Sequence, residues 1–271
     1  MSDDKHVVGD LAAWANSLEK EEEIQPFRWA VEETHTNTLT GLCDVHGENS
    51  YATHPSVKVW KCSICAMETI KAASQANFAA SVYDDRLKRS GVSAKHLKGS
   101  FSATTAEQKT ARMEAKKFLD KVKAKSGWLP LVFTGPCGTG KTLLASEIMR
   151  SLMVSGEITC FYTTAANMLS YIKSGYSNKE RNEFDDMKKI ASYGLLVIDE
   201  LDQIKTSTHD VGMLQNIINA RYNDDKPIIV ISNKLFNDFE EVIGERTVSR
   251  LHENGVVVNF DWQDNRRDAD L

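Results

Sequence analysis

Residues 135–142 read GPCGTGKT and fit G-x-x-x-x-G-K-[ST] at every fixed position. That pattern constrains the chain only if a strand precedes it and a helix follows it. Both flanks comply. WLPLVF is a short apolar run ending in β-formers, and LLASEIMRSLMVSG is apolar at helical spacing and closes on Gly156. A strand, a glycine loop and a helix in that order predict a phosphate cradle. Successive backbone N–H groups and the helix start face an anion. Gly135, Gly138 and Gly140 permit close backbone approach, with Pro136, Cys137 and Thr139 completing the loop. Lys141 would reach the β- and γ-phosphates, and the Thr142 hydroxyl would ligate Mg²⁺.

Beyond the loop, strands and helices alternate. Strand candidates are LPLVF, ITCFYTT, GLLVID, PIIVIS and GVVVNF, with helices between them. Near-continuous apolar strands of this kind, alternating with helices, predict a parallel, helix-covered sheet. YGLLVIDEL ends such a strand in Asp199 and Glu200. Beside the phosphates, Asp199 suits the Mg²⁺ shell and Glu200 is placed to polarise an attacking water. PIIVISNK ends in Asn233, either a turn former or a side chain orienting that water. GERTVSRL carries Arg246 and Arg250 at i, i+4, on one helix face. Such arginines are commonly solvated or paired with acids. In an assembly, one would instead reach a neighbour's γ-phosphate.

The N-terminal third is different. Residues 1–40 are acidic, and LAAWANSLEKEEE predicts a helix there. Residues 41–67 are rich in turns and cysteine. Cys43-x2-His46 and Cys62-x2-Cys65, separated by fifteen residues, form the pattern of a closed tetrahedral Zn²⁺ site. His35 and His54 are alternative ligands, and the alternative to a metal is buried free thiols. Five cysteines, an odd number, argue against a disulfide framework. ETIKAASQANFAASVYDDRLKRSG predicts a long helix over 68–91, followed by a loop and a second helix over 106–127. Between Arg86 and Lys125 twelve Lys and Arg face three acids, which leaves nucleic acid open as a partner despite a net charge of −5. No apolar run approaches the roughly 20 residues of a membrane helix, and the polar start MSDDKHVVGD lacks a signal-peptide core. A cytoplasmic location without membrane contact is the expectation. The domain expectation is 1–40 helical, 41–67 zinc-binding, 68–99 helix and linker, and 100–271 ATPase.

With GPCGTGKT, LLVIDE, SNK, GERTVSRL, the preceding SGV…SF and the closing VVVNFDWQDNR together, residues 90–266 resemble the DnaC-like replicative helicase loaders of the AAA+ class, in the form common in phages. That resemblance implies a P-loop AAA+ sheet flanked by helices, without a full helical lid because the chain ends shortly after Arg266. By position it implies that Asn233 resembles sensor 1, Arg250 a trans-acting arginine finger supported by Arg246, and Arg266 sensor 2. It implies ATP hydrolysis, self-association through the ATP sites, a grip on single-stranded DNA and a hexameric DnaB-like helicase as partner. The zinc pattern resembles the N-terminal part of phage loaders and departs from the bacterial type. Phe101 follows the SF position of the family or anchors the linker on the core. Two other readings are an IstB-like transposition helper and a zinc-dependent adaptor whose nucleotide site is a non-hydrolysing switch.

Overall fold

In the computed structural model the described residues are 38–52, 63–156, 158–175, 181–204 and 207–263. They divide into two compact units between Val82 and Tyr83. In the first, β1 (Thr38–Cys43) and β2 (Gly47–Ala52) form an antiparallel hairpin, with Thr38 opposite Ala52 and Cys43 opposite Gly47. The long helix α1 (Ser63–Arg89) starts five residues ahead of the sequence expectation and contains the division between the units. Cys43 therefore ends a strand, His46 lies in the hairpin turn, and Cys65 lies in the first turn of α1. Cys62 and residues 1–37 lie outside the described residues, while Thr38–Thr40 are already strand.

The second unit carries α2 (Ala94–Lys98), α3 (Ala106–Lys123), β3 (Pro130–Thr134), α4 (Lys141–Ser155), β4 (Cys160–Thr164) and α5 (Ala165–Ser174). It continues with α6 (Glu183–Ser192), β5 (Leu195–Asp199), α7 (Thr208–Asn223), β6 (Ile228–Ser232), α8 (Phe239–Ile243), α9 (Glu245–His252) and β7 (Val256–Asn259). All five strands of its sheet run parallel in the order β4-β5-β6-β3-β7. The glycine-loop strand β3 and the acid-bearing strand β5 are thus separated by β6. Their C-terminal ends lie on one rim of the sheet.

Side-chain parity builds two cores from one sheet. Leu131, Phe133, Leu195, Val197, Ile229 and Ile231 pack with α3 and α4 on one face. Val132, Leu196, Ile198, Ile228 and Val230 pack with α5, α6, α7 and α9 on the other. Strands buried on both faces need apolar residues at every position, and β3, β5 and β6 are buried throughout. Each fully buried Leu, Ile or Val contributes roughly 1.5–3 kcal/mol.

The loop predicted over 92–105 holds the one-turn helix α2, capped by Ser93, whose side chain accepts from the His96 amide. Thr105 caps α3 in a capping box. Its hydroxyl accepts from the Gln108 amide, and the Gln108 side chain accepts from the Thr105 amide. The compact unit begins at Tyr83, ahead of residue 100, because residues 90–92 close onto the outer strand. The Tyr162 amide of β4 donates to the Ser90 carbonyl at 2.6 Å, and Val92 is buried.

Candidate nucleotide and magnesium site

β3 ends at Thr134, and the glycine loop turns from there into α4. Gly135 adopts φ +127, and a Cβ at this position would collide with the Phe260 carbonyl. The Phe260 amide in turn donates to the Thr134 carbonyl at 2.7 Å. Within the loop, Pro136 and Cys137 are exposed and Thr139 is buried, its hydroxyl donating to the Pro136 carbonyl at 2.9 Å. Trp262 Nε1 donates to the Thr139 carbonyl at 2.9 Å. Phe101 lies 1% exposed against Gly140, Phe260 and Trp262. The linker and the segment after β7 therefore brace the loop from behind. Of the two roles open to Phe101, the structure shows the anchor.

Lys141 opens α4. Its ammonium donates to the carbonyls of Gly135 and Pro136, each at 2.6 Å, so the cation sits within the loop. Thr142 Oγ1 donates to Asp199 Oδ2 at 2.7 Å. The second donor to that oxygen is Tyr162 Oη at 2.8 Å, while Asp199 Oδ1 accepts from the Glu200 amide at 2.7 Å. Asp199 is 5% exposed with both oxygens occupied, which fixes its orientation.

Glu200 is exposed and sits at φ 54 in the left-handed region, an uncommon conformation for a residue with a side chain. The kink turns the chain out of β5 and separates Glu200 from Asp199. Partial burial, then the charges of Asp199 and Asp202, hold the Glu200 carboxyl above the usual glutamate range. Asn233 follows β6. Its amide donates to Asp202 Oδ1 at 2.9 Å, and its Nδ2 lies 3.4 Å from Asp202 Oδ2. Ser232 Oγ also donates to Asp202, at 3.2 Å. Burial alone would raise the Asp202 carboxyl. The hydrogen bonds from Asn233, Gln203 and Ser232 outweigh it and hold the group below the usual aspartate range.

Arg250 is placed far from this rim. Its guanidinium lies 4.8 Å over the Tyr222 ring, and its carbonyl accepts from Trp128 Nε1 at 2.9 Å. Trp128 and Tyr222 lie ahead of β3 and β6, at the end opposite the loop. The five residues of β3 alone span about 16 Å. Arg250 does not join its own chain's loop, and its Nη1 has no hydrogen-bond partner among the described residues. Arg246 is exposed one turn earlier. Arg266 lies outside the described residues, as does Cys62 of the zinc pattern.

The residues present fit ATP with Mg²⁺. Lys141 and Thr142 at the start of α4, Asp199 at the end of β5, and Glu200 and Asn233 in the turns just after β5 and β6 stand on one rim. The Gly135 position admits no Cβ, and a hydroxyl paired with a carboxylate is an oxygen donor set for a hard cation. Sequence reasoning missed three members: Tyr162, Asp202 and Trp262. Asp202 had a faint signal in its spacing, three residues past Asp199. Tyr162 had none, because its reach depends on strand pairing. No helix among the described residues is long and apolar enough to cross a membrane.

Comparison with known proteins agrees with this geometry. The protein YdaV of Escherichia coli K12, itself uncharacterised, is 28% identical over 181 residues, covering 65% of this chain and 71% of that protein. The replicative helicase loader DnaC of Escherichia coli K12 is 26% identical over 182 residues, covering 66% and 73%. Among solved structures, the DnaC helicase loader superposes with a TM-score of 0.54 at 19% identity, covering 62% of this chain and 99% of that one. DnaI superposes with 0.52 at 16%, covering 62% and 94%. These likenesses place the sheet and its helices in the P-loop AAA+ fold. The family model for the IstB-like ATP binding protein matches residues 95–252, more than half of the sequence and all of the rim built above, and the chain belongs to that family.

Proposed function

We propose that this protein is an ATPase that loads a hexameric DnaB-like replicative helicase onto single-stranded DNA in the cytoplasm. The observation that carries the reading is the Thr142–Asp199 hydrogen bond, with Glu200 and Asn233 in the turns beside it. It is supported by the likeness to relatives named as replicative helicase loaders. Lys141 and the loop amides bind the triphosphate, while Thr142 and Asp199 hold Mg²⁺. The bound ion supplies charge neutralisation on the phosphates. Glu200 takes the proton of the attacking water, and its raised affinity for a proton suits a base. Asn233 orients the water against the terminal phosphate.

Arg250 acts on the site of a neighbouring copy, with Arg246 in support. Its distance from its own loop is what a residue serving another subunit requires. Arg266 contacts nucleotide as the second sensor. Cys43, His46, Cys62 and Cys65 hold a structural Zn²⁺ on the hairpin turn and the start of α1. This unit contacts the helicase.

The test is steady-state ATP turnover of the wild type and Glu200→Gln with single-stranded DNA, beside a pull-down of the host replicative helicase with and without ATP. Turnover lost in the variant and ATP-dependent helicase capture are expected. Equal, negligible turnover by both proteins overturns the enzyme, and capture of a transposase in place of the helicase overturns the loader.

A further inference from the structure

Tyr162 stands outside every motif in the sequence, yet its hydroxyl reaches the carboxylate at the metal end of the site. In the β4–β5 register Tyr162 pairs with Val197 and Thr164 pairs with Asp199. Tyr162 and Asp199 are therefore diagonal neighbours on one face of the sheet, a separation that a long aromatic side chain spans. The phenol closes that distance with a 2.8 Å hydrogen bond to Oδ2, the oxygen that also accepts from Thr142. The tyrosine backbone is fixed as well. Its amide is bonded to Ser90, and a Cβ on Gly91, which sits at φ +79, would collide with its carbonyl. In this bond the phenol is the donor, because an ionised carboxylate only accepts.

We propose that Tyr162 is a positioning residue for Mg²⁺: it holds Asp199 in the orientation from which that carboxylate and Thr142 receive the ion. The proposal rests on the reading of Thr142 and Asp199 as the magnesium end of an ATP site. With Tyr162 present, two donors fix Oδ2 and the Glu200 amide fixes Oδ1, so the carboxylate has no freedom to lose on binding. Without the phenol hydroxyl, Oδ2 keeps Thr142 alone, and when the threonine turns a lone pair towards the ion the carboxylate is held only through the Glu200 amide on Oδ1. Partners that orient metal ligands in this way typically change affinity by 10–100-fold.

The test is Tyr162→Phe in the full chain, which keeps the ring and removes only the donor. Binding of a slowly hydrolysed ATP analogue is measured in EDTA and across a Mg²⁺ titration. The half-saturating Mg²⁺ concentration is expected to rise roughly tenfold, with nucleotide affinity in EDTA unchanged. An unchanged Mg²⁺ midpoint, or an equal loss in EDTA and in Mg²⁺, overturns the positioning role, the second outcome marking a purely structural tyrosine. Should the Phe variant not fold, 4-fluorophenylalanine at position 162 poses the same question with closer ring volume. A wild type that binds no nucleotide with Mg²⁺ rejects the underlying site instead, and so separates the two failures.

Discussion

Asp202 and Asn233 are joined twice, once through the Asn233 backbone amide at 2.9 Å and once through its side-chain amide at 3.4 Å. The turn after β5 is thereby tied to the turn after β6. Glu200 and Asn233, both proposed to address the attacking water, leave these same two turns. One carboxylate that touches neither Thr142 nor the glycine loop thus sets the spacing between the two.

Asp202→Ala is expected to separate binding from turnover. Removing the acceptor leaves the Asn233 amide and the Ser232 hydroxyl without their partner, at a cost of about 1–3 kcal/mol in stability. ATP affinity should stay within about twofold while turnover falls roughly tenfold, because a shifted water-positioning group is felt in the transition state. Since hydrogen bonds hold the Asp202 carboxyl low in the folded protein, its stabilisation is present above the unfolded pKa. It is lost as pH falls through the folded one. Chemical denaturation at neutral and acidic pH checks the sign: the wild-type advantage should shrink in acid.

Glu200→Gln should lower turnover by about 100-fold or more if Glu200 is the base. It should also stabilise the protein at neutral pH. The folded-state proton affinity of Glu200 is raised, so folding disfavours its ionised form. That penalty exists above the folded pKa and vanishes below the unfolded one. Thermal melts should therefore show the variant above the wild type at pH 7 and the gap closing towards pH 4. A variant that melts lower at pH 7 contradicts the raised proton affinity assigned to this carboxylate.

How much of this was legible beforehand follows from where each interaction lives. The glycine loop and the Asp199–Glu200 strand end were readable because each is a local pattern with a required flank. The parallel sheet followed from uninterrupted apolar strands such as LLVID, Leu195–Asp199, whose every position is buried. Tyr162 and Asp202 were not readable, because their partners come from strand pairing and from a turn on another strand. The short helix α2 escaped because five residues carry no periodicity; its Ser93 cap was the available signal. Arg250 was named in sequence, but only the fold shows that its guanidinium lies over Tyr222, at the end of the sheet away from its own loop.

Arg250→Ala is expected to leave ATP affinity of the isolated chain unchanged, since the residue lies at the other end of the sheet from its own loop. Turnover in the assembled state should fall by 10³ or more, the range reported by removal of such a charge. Loss of the contact with the Tyr222 ring should cost only about 0.5–1 kcal/mol. Mixing the variant with Lys141→Ala protein distinguishes a trans role. Each mutant is inactive alone, and mixed assemblies regain activity at sites that combine an intact loop with an intact Arg250.

Metal content tests the N-terminal unit. The wild type should contain about one zinc per chain, and Cys62→Ser with Cys65→Ser should contain none. A small unit held by metal loses its fold when the metal is removed. Protease cleavage within residues 38–82 should therefore rise on chelation, while the ATP site remains intact. Metal-free protein with unchanged protection removes the zinc assignment.

Phe101→Ala tests the brace behind the glycine loop. The ring is 1% exposed and packs against Phe260 at 6.1 Å and Trp262 at 6.2 Å between centroids, with Gly140 beneath it. Truncating a buried phenylalanine costs about 3–5 kcal/mol, because the cavity it leaves closes only in part. The loop shares this packing, since Trp262 Nε1 holds the Thr139 carbonyl. Nucleotide affinity should therefore fall together with stability. Phe101→Leu, which refills most of the volume, should recover both. If Leu restores stability while affinity stays low, the aromatic packing against Gly140 and Trp262 sets the shape of the loop, and bracing by volume alone is overturned.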